Sequence, residues 1–150
     1  MNSICGADCE KCAFGSSEGC KGCAETGGCP FGKTCSVAGY IAVGGMKFYE
    51  EFVEKLTCEI NALRVPGMPE IAKLVPVNGS FVNLEYTLPN GRKARLLDDD
   101  EIYLGAQAEC EFADSVKPRY FGAVANGDFL LVSEYGVDGS DPQIIVFQKR

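Results

Sequence analysis

The stretch MKFYEEFVEKLTCEINAL, residues 46–63, carries the strongest structural pattern in the chain. Its apolar side chains recur every three or four residues, the spacing of one face of an α-helix. The pattern ends at Arg64-Val65-Pro66-Gly67, where proline and glycine stop a helix. We therefore predict an amphipathic helix over residues 46–63, with an apolar face made by Phe48, Phe52, Val53, Leu56, Ile60 and Leu63.

The segment before this helix is short and ends in glycine. Residues 35–43 read Cys-Ser-Val-Ala-Gly-Tyr-Ile-Ala-Val and are compatible with a short helix. The Gly44-Gly45 pair that follows predicts a break, because glycine weakens a helix interior and accepts turn conformations.

After Gly67 the apolar period changes from helical spacing to two, the spacing of β-strands. Residues 82–88 alternate, and Pro89-Asn90-Gly91 turns the chain into residues 92–97, which predicts a hairpin. A second hairpin is predicted from residues 120–125, the turn Asn126-Gly127-Asp128 and residues 129–135. Residues 143–148 would add a final strand. The chain is therefore expected to be α+β, with an antiparallel sheet of four to six strands covered by the 46–63 helix.

Charge and hydropathy limit the classes of partner. The net charge is −7, shared between residues 1–63 (five Lys/Arg against eight Asp/Glu) and residues 64–150 (nine against thirteen). Neither part has the basic surface that binds nucleic acid, so no nucleic-acid partner is expected. No apolar run approaches the ~18 residues of a membrane span, and no apolar leader follows the first residues, so we expect a cytoplasmic protein without membrane association.

Seven of the nine cysteines fall within 31 residues, and this density is the main clue to function. Two Cys-x2-Cys pairs, Cys9/Cys12 and Cys20/Cys23, lie seven residues apart and together supply the four thiolates of a tetrahedral zinc site. The chain has no histidine, so a closed site uses thiolates or carboxylates. The remaining cysteines of the block need a fourth partner, which makes a second candidate set of Cys5, Cys29, Cys35 and Cys58.

Cys58 and Cys110 lie outside the cysteine-rich block and differ in their suitability as metal ligands. On a helical projection Cys58 lies among Lys47, Glu51 and Glu54, away from the apolar face. It therefore either completes the second site or is a solvated thiol. Cys110 lies between two glutamates, which disfavour its thiolate, and it is interpreted as structural.

The block is predicted to be a separate unit, with residues 1–43 as a cysteine-rich metal-binding module and residues 44–150 as the α+β domain. Residues 1–36 are rich in glycine and poor in aliphatic side chains, so their fold depends on cross-links. A cytoplasmic thiol is kept reduced, which favours metal over disulfides. Zinc is the favoured metal. An iron–sulfur cluster is the alternative, since Cys29-Pro30 resembles a cluster signature although the tight Cys-x2-Cys-x2-Cys run is missing.

The motif Cys5-Gly6-Ala7-Asp8-Cys9-Glu10-Lys11-Cys12, followed by Cys20-Lys21-Gly22-Cys23, resembles a family of uncharacterised bacterial and archaeal cysteine-rich proteins. That family is described as a domain of unknown function to which zinc binding is ascribed. Its members often carry further cysteines after the block, whereas residues 39–52 here have none. The resemblance implies a metal-binding module and no particular reaction.

Three functions remain compatible with the sequence. The favoured one is a non-enzymatic protein in which structural zinc organises an interaction or sensing module, with an unknown protein as partner. The alternative is an electron-transfer protein with an iron–sulfur cluster. A hydrolase or transferase with an open zinc position needs a general base, which without histidine would be a carboxylate.

Overall fold

The computed structural model describes residues 35–98, 101–109 and 119–150. Its first element, α1 (Ser36–Ala62), consists of two helical segments joined at Gly45, whose φ of 79° and ψ of −177° are not helical. This backbone conformation is open to glycine and strained for other residues. The predicted 46–63 helix and the predicted break at Gly44-Gly45 are both confirmed.

The break folds α1 back on itself. The ring centroids of Tyr40 and Phe52 are 4.1 Å apart, although these residues lie on opposite sides of Gly45. In a straight helix, positions twelve residues apart are separated by about 18 Å along the axis. The contact therefore requires a sharp bend, and the Arg150 guanidinium packs over the same Phe52 ring at 5.9 Å.

Substituting Gly45 tests the bend. We expect Gly45→Ala to lower the free energy of unfolding by about 1–3 kcal/mol, because alanine is strained at this φ and ψ. Gly39→Ala is the matched control, because a Cβ at Gly39 meets no atom within 4 Å. Alanine has a higher helix propensity than glycine, so this substitution should leave the free energy of unfolding unchanged or raise it by up to about 1 kcal/mol. Urea unfolding of both variants measures the difference. Equal free energies of unfolding for the Gly45→Ala and Gly39→Ala variants would contradict a bend at Gly45.

The remaining elements follow α1 in a simple order and build two antiparallel sheets. The main sheet has five strands in the spatial order β1-β4-β5-β6-β7, and β2 and β3 pair separately. The elements are β1 (Val75–Asn78), α2 (Gly79–Val82), β2 (Glu85–Thr87), β3 (Lys93–Arg95), β4 (Ile102–Glu109), β5 (Arg119–Ala125), β6 (Phe129–Gly136), a 3-10 turn (Val137–Gly139) and β7 (Gln143–Lys149). The expected α+β class is confirmed.

The second predicted hairpin forms as β5 and β6, and the predicted last strand forms as β7. The Asn126 side chain fixes the hairpin turn, because its Oδ1 accepts hydrogen bonds from the backbone N–H groups of Asp128 (2.8 Å) and Phe129 (3.0 Å). An asparagine that bonds the backbone of the following residues is a frequent turn device. The turn residues thus set the register of the two strands in the centre of the sheet.

The first predicted hairpin also forms, but it is shorter than expected. Only β2 and β3 pair, and residue 82 belongs to α2 instead of a strand. Asn83 explains the change, because its Oδ1 accepts from the Leu97 N–H at 2.9 Å and its Nδ2 donates to the Leu97 carbonyl. This buried carboxamide takes the place of the backbone pairing that residues 83 and 97 would make if the two strands continued in the same register.

The helix α1 covers one face of the main sheet, as predicted. Val53, Leu56 and Ile60 are at most 4 % exposed and join the core of the sheet. Their partners are the alternating side chains of Leu104, Phe121, Ala123, Leu130 and Val132. Within the described ranges, no helix is long and apolar enough to cross a membrane.

One residue of the predicted apolar face was assigned wrongly. Phe48 is 39 % exposed, whereas Tyr49 is buried. A Cβ on Gly44 would come within 2.5 Å of the Phe48 Cβ, so Phe48 packs back over the glycine at the bend. The bend therefore displaces the first turn from the periodic pattern of the rest of the helix.

Candidate metal centre

Six of the eight candidate ligands lie outside the described residues: Cys5, Cys9, Cys12, Cys20, Cys23 and Cys29. Cys110 lies outside them as well. The structure therefore locates two of the candidates, Cys35 and Cys58, and these two residues occupy different environments.

Cys35, the last cysteine of the block, is the N-cap residue of α1. Its backbone is extended (φ −95°, ψ 113°) and its carbonyl accepts the hydrogen bond of the Gly39 N–H at 3.0 Å, which begins the helix. On the other side it forms a parallel bridge with Ile102 at the start of β4. The residue is 5 % exposed and belongs to the hydrophobic core. The end of the block is thus fixed to both the helix and the sheet.

The environment of Cys35 extends the core beyond the predicted module boundary at residue 43. Val37 and Ala38, which follow it, are also buried and belong to the same core as the central strands. The start of α1 therefore packs with the sheet rather than apart from it. The division into residues 1–43 and 44–150 stays a prediction, because residues 1–34 lie outside the described part of the chain.

Cys58 is an exposed, free thiol on the second segment of α1. It lines an open groove of about 1040 Å³ between α1 and residues 70–76. The expectation that it points away from the sheet-facing side chains is confirmed. The same groove is also lined by Glu50, Glu54 and Glu70.

Asn61 determines the shape of this groove and was not recognised from the sequence. Its Nδ2 donates to the Ile71 carbonyl at 2.9 Å, and the Ile71 N–H donates to its Oδ1 at 2.8 Å. This pair of bonds attaches the segment after the helix to the last turn of α1. An asparagine near a helix end was the available signal, but its partner ten residues along the chain was not predictable from local pattern.

The described residues alone do not form a metal site. Among residues 35–98, 101–109 and 119–150, no group of three or more Cys, Asp and Glu side chains is placed to hold an ion. Cys35 is buried in the core, whereas Cys58 lies on an open surface. Any site that uses either residue therefore needs donors from the other cysteines of the block, as the sequence spacing implies.

The chemistry of the donor set fits zinc. The protein contains nine cysteines and no histidine, and tetrahedral all-thiolate sites are a standard form of structural zinc. Iron–sulfur clusters also accept four thiolates, so the donor type alone leaves both metals open.

Comparison with known proteins assigns neither a family nor a metal to the chain. No protein-family model, no curated protein and no solved structure matches it. The resemblance of the cysteine block to the cysteine-rich family stays a prediction based on the motif.

Proposed function

We propose that this protein is a metal-binding protein in which cysteine thiolates hold structural zinc and thereby organise an interaction or sensing module on an α+β domain. The observation that carries the proposal is the clustering of seven cysteines in 31 residues, including two Cys-x2-Cys pairs. Ordinary core packing does not require such a density of thiols. Zinc would tie glycine-rich segments together where few apolar side chains are available.

The proposed module is attached to a rigid support. Cys35 begins α1 and bridges to β4, and its side chain lies in the core. Residues that precede it by only a few positions therefore start from a fixed point on the domain. Attachment at a buried residue suits a module that signals its metal content to a partner protein.

Two zinc sites are the arrangement that we propose. Cys9, Cys12, Cys20 and Cys23 would form the first site, and Cys5, Cys29, Cys35 and Cys58 would form the second, which requires the buried Cys35 thiol and the exposed Cys58 thiol to reach one ion. When bound, zinc would supply cross-linking and no redox chemistry, since it is a d¹⁰ ion. All ligands must be thiolates, so acidification is expected to release the metal.

Cobalt substitution tests the type of ligand. We expect apoprotein, prepared without oxygen under reducing conditions, to take up Co²⁺ and show the absorption bands of tetrahedral thiolate coordination. Addition of zinc should remove these bands as it displaces cobalt. A cobalt spectrum typical of octahedral oxygen ligation, or no uptake at all, would contradict the proposal.

Cys58 tests the composition of the second site. We expect Cys58→Ser to lower bound zinc from two equivalents to one, because a site that loses a thiolate no longer closes with four ligands. Native mass spectrometry of the full chain, prepared anaerobically, counts the bound ions. Cys110→Ser is the matched control and should retain two. Two equivalents in both variants would remove Cys58 from the site.

A further inference from the structure

The face of the main sheet opposite α1 contains a second cavity, which we call the cup. It has a volume of about 910 Å³. Side chains alternate along a strand, so the neighbours of the helix-facing residues point into it. Val75 and Val77 of β1 line it together with Val82 and Leu84, which come from the α2 and hairpin region. A cavity of this size with apolar walls has the dimensions of a small-molecule site.

Two glycines, Gly105 and Gly122, lie in the floor of the cup. Gly122 lies at the centre of its floor, in register with Gln107 on β4 and Ser133 on β6. A Cβ at Gly122 would lie 3.0 Å from the Tyr135 ring, and a Cβ at Gly105 would lie 2.9 Å from a methyl group of Val77. The absence of a side chain at these two positions therefore lets the Tyr135 ring and the Val77 methyl groups lie directly against the sheet backbone.

A buried polar group without a partner lies beside the cup. Tyr86 is 2 % exposed, and its hydroxyl has no hydrogen-bond partner of normal geometry among the described residues. Burial raises the pKa of Tyr86, and the nearby Ser133 hydroxyl partly offsets this effect. Ser133 lines the cup. The Tyr86 hydroxyl is fully buried and does not line the cup, so the Ser133 hydroxyl is the group that a polar atom bound in the cup would meet.

The charges around the cup indicate which ligands it excludes. Glu109 and Asp138 line it, and no lysine or arginine does so within the described residues. Arg119, on the neighbouring strand, is engaged by Glu134 at 2.6 Å. The stacked rings of Tyr120 and Tyr135, 6.2 Å apart, add flat aromatic surface. Among the described residues, an anion would meet carboxylates without a compensating cation, whereas a flat neutral or cationic molecule would meet aromatic and apolar walls.

We propose that the cup is a binding site for an uncharged or cationic small molecule with a flat apolar body and one hydrogen-bonding group, which would lie near Ser133. The proposal does not depend on metal binding by the cysteine block. It rests on the shape of the cup, its charge and the Ser133 hydroxyl that lines it.

Two dyes that differ by one sulfonate test the proposal. The probe is N-phenyl-1-naphthylamine, a neutral flat molecule with one N–H group, and its anionic counterpart is 1-anilinonaphthalene-8-sulfonate. Fluorescence titration of the full-length protein should show saturable binding of one equivalent of the neutral dye. The sulfonate should bind at least tenfold more weakly. Absence of saturable neutral-dye binding, or equal affinity for the anion, would overturn the proposal.

A pair of glutamine substitutions locates the dye. Gln107→Trp should fill the cup from an exposed position on β4 and weaken binding of N-phenyl-1-naphthylamine at least tenfold, without disturbing a buried residue. Gln148→Trp is the matched control, since Gln148 is exposed on β7 and does not line the cup. Its affinity should stay within twofold of the unmodified protein. Equal effects of the two substitutions would place the dye elsewhere and contradict the proposal.

Discussion

Replacing Cys20 and Cys23 together with serine is expected to remove one zinc equivalent and to unfold the cysteine-rich residues while the α+β domain stays folded. Structural zinc contributes about 10–16 kcal/mol of apparent binding free energy to small modules of this kind, far more than 34 glycine-rich residues can replace by packing. The domain has its own core, in which Leu56, Leu104 and Val132 are fully buried, so it does not need the metal.

Hydrogen exchange followed by mass spectrometry measures both parts of this expectation in one experiment. Amides of residues 1–34 should exchange much faster in the double variant, whereas protection in β5 and β6 should be retained. The matched control is Ser16→Ala combined with Ser17→Ala, two substitutions in the same block that leave every thiol in place. Unchanged exchange in residues 1–34 of the cysteine variant would show that these residues do not depend on metal.

Leu56→Ala is expected to cause the second largest effect, a loss of about 2–5 kcal/mol in the free energy of unfolding. Leu56 is fully buried between α1 and the central strands, where the removed methyl groups leave a cavity that the rigid sheet does not close. A domain of ordinary stability, about 5–15 kcal/mol, would be brought close to its unfolding threshold.

Val43→Ala provides the comparison for this loss. Val43 lies on the same helix but is 80 % exposed, so its truncation should change stability by no more than about 0.5 kcal/mol. Urea unfolding followed by far-ultraviolet circular dichroism reports both values without a tryptophan, which this chain lacks. Similar losses for Leu56 and Val43 would contradict the assignment of the buried helix face.

The elements predicted correctly are those whose signal is local. The 46–63 helix has a strict apolar period, and the β5–β6 hairpin has an Asn-Gly-Asp turn. Two strands, β4 and β1, were not predicted, and the reason differs between them. Residues Gly105, Ala106 and Ala108 weaken the strand pattern of β4, since glycine and alanine have low strand propensity. Pro76 argues against a strand, yet β1 lies at the edge of the sheet, where proline is tolerated.

The same difference between local and long-range signals applies to the candidate site. The outward direction of Cys58 follows from helix geometry and was predictable, because it depends on residues within one helix. The burial of Cys35 beside Ile102 depends on a contact between residues 67 positions apart, which no local pattern contains. The cup was missed for a similar reason, since Gly105, Gly122 and Ser133 come from three strands and meet only through sheet register.

Metal content of the protein as purified tests the central claim most directly. Untagged protein should be prepared without oxygen, analysed by plasma mass spectrometry and examined by absorption spectroscopy on the same sample. We predict two equivalents of zinc per chain in a colourless solution, because d¹⁰ zinc does not absorb visible light. Less than about half an equivalent of any metal would contradict a metal-binding function. Iron with sulfide and a visible band that dithionite bleaches would replace structural zinc with an electron-transfer cluster.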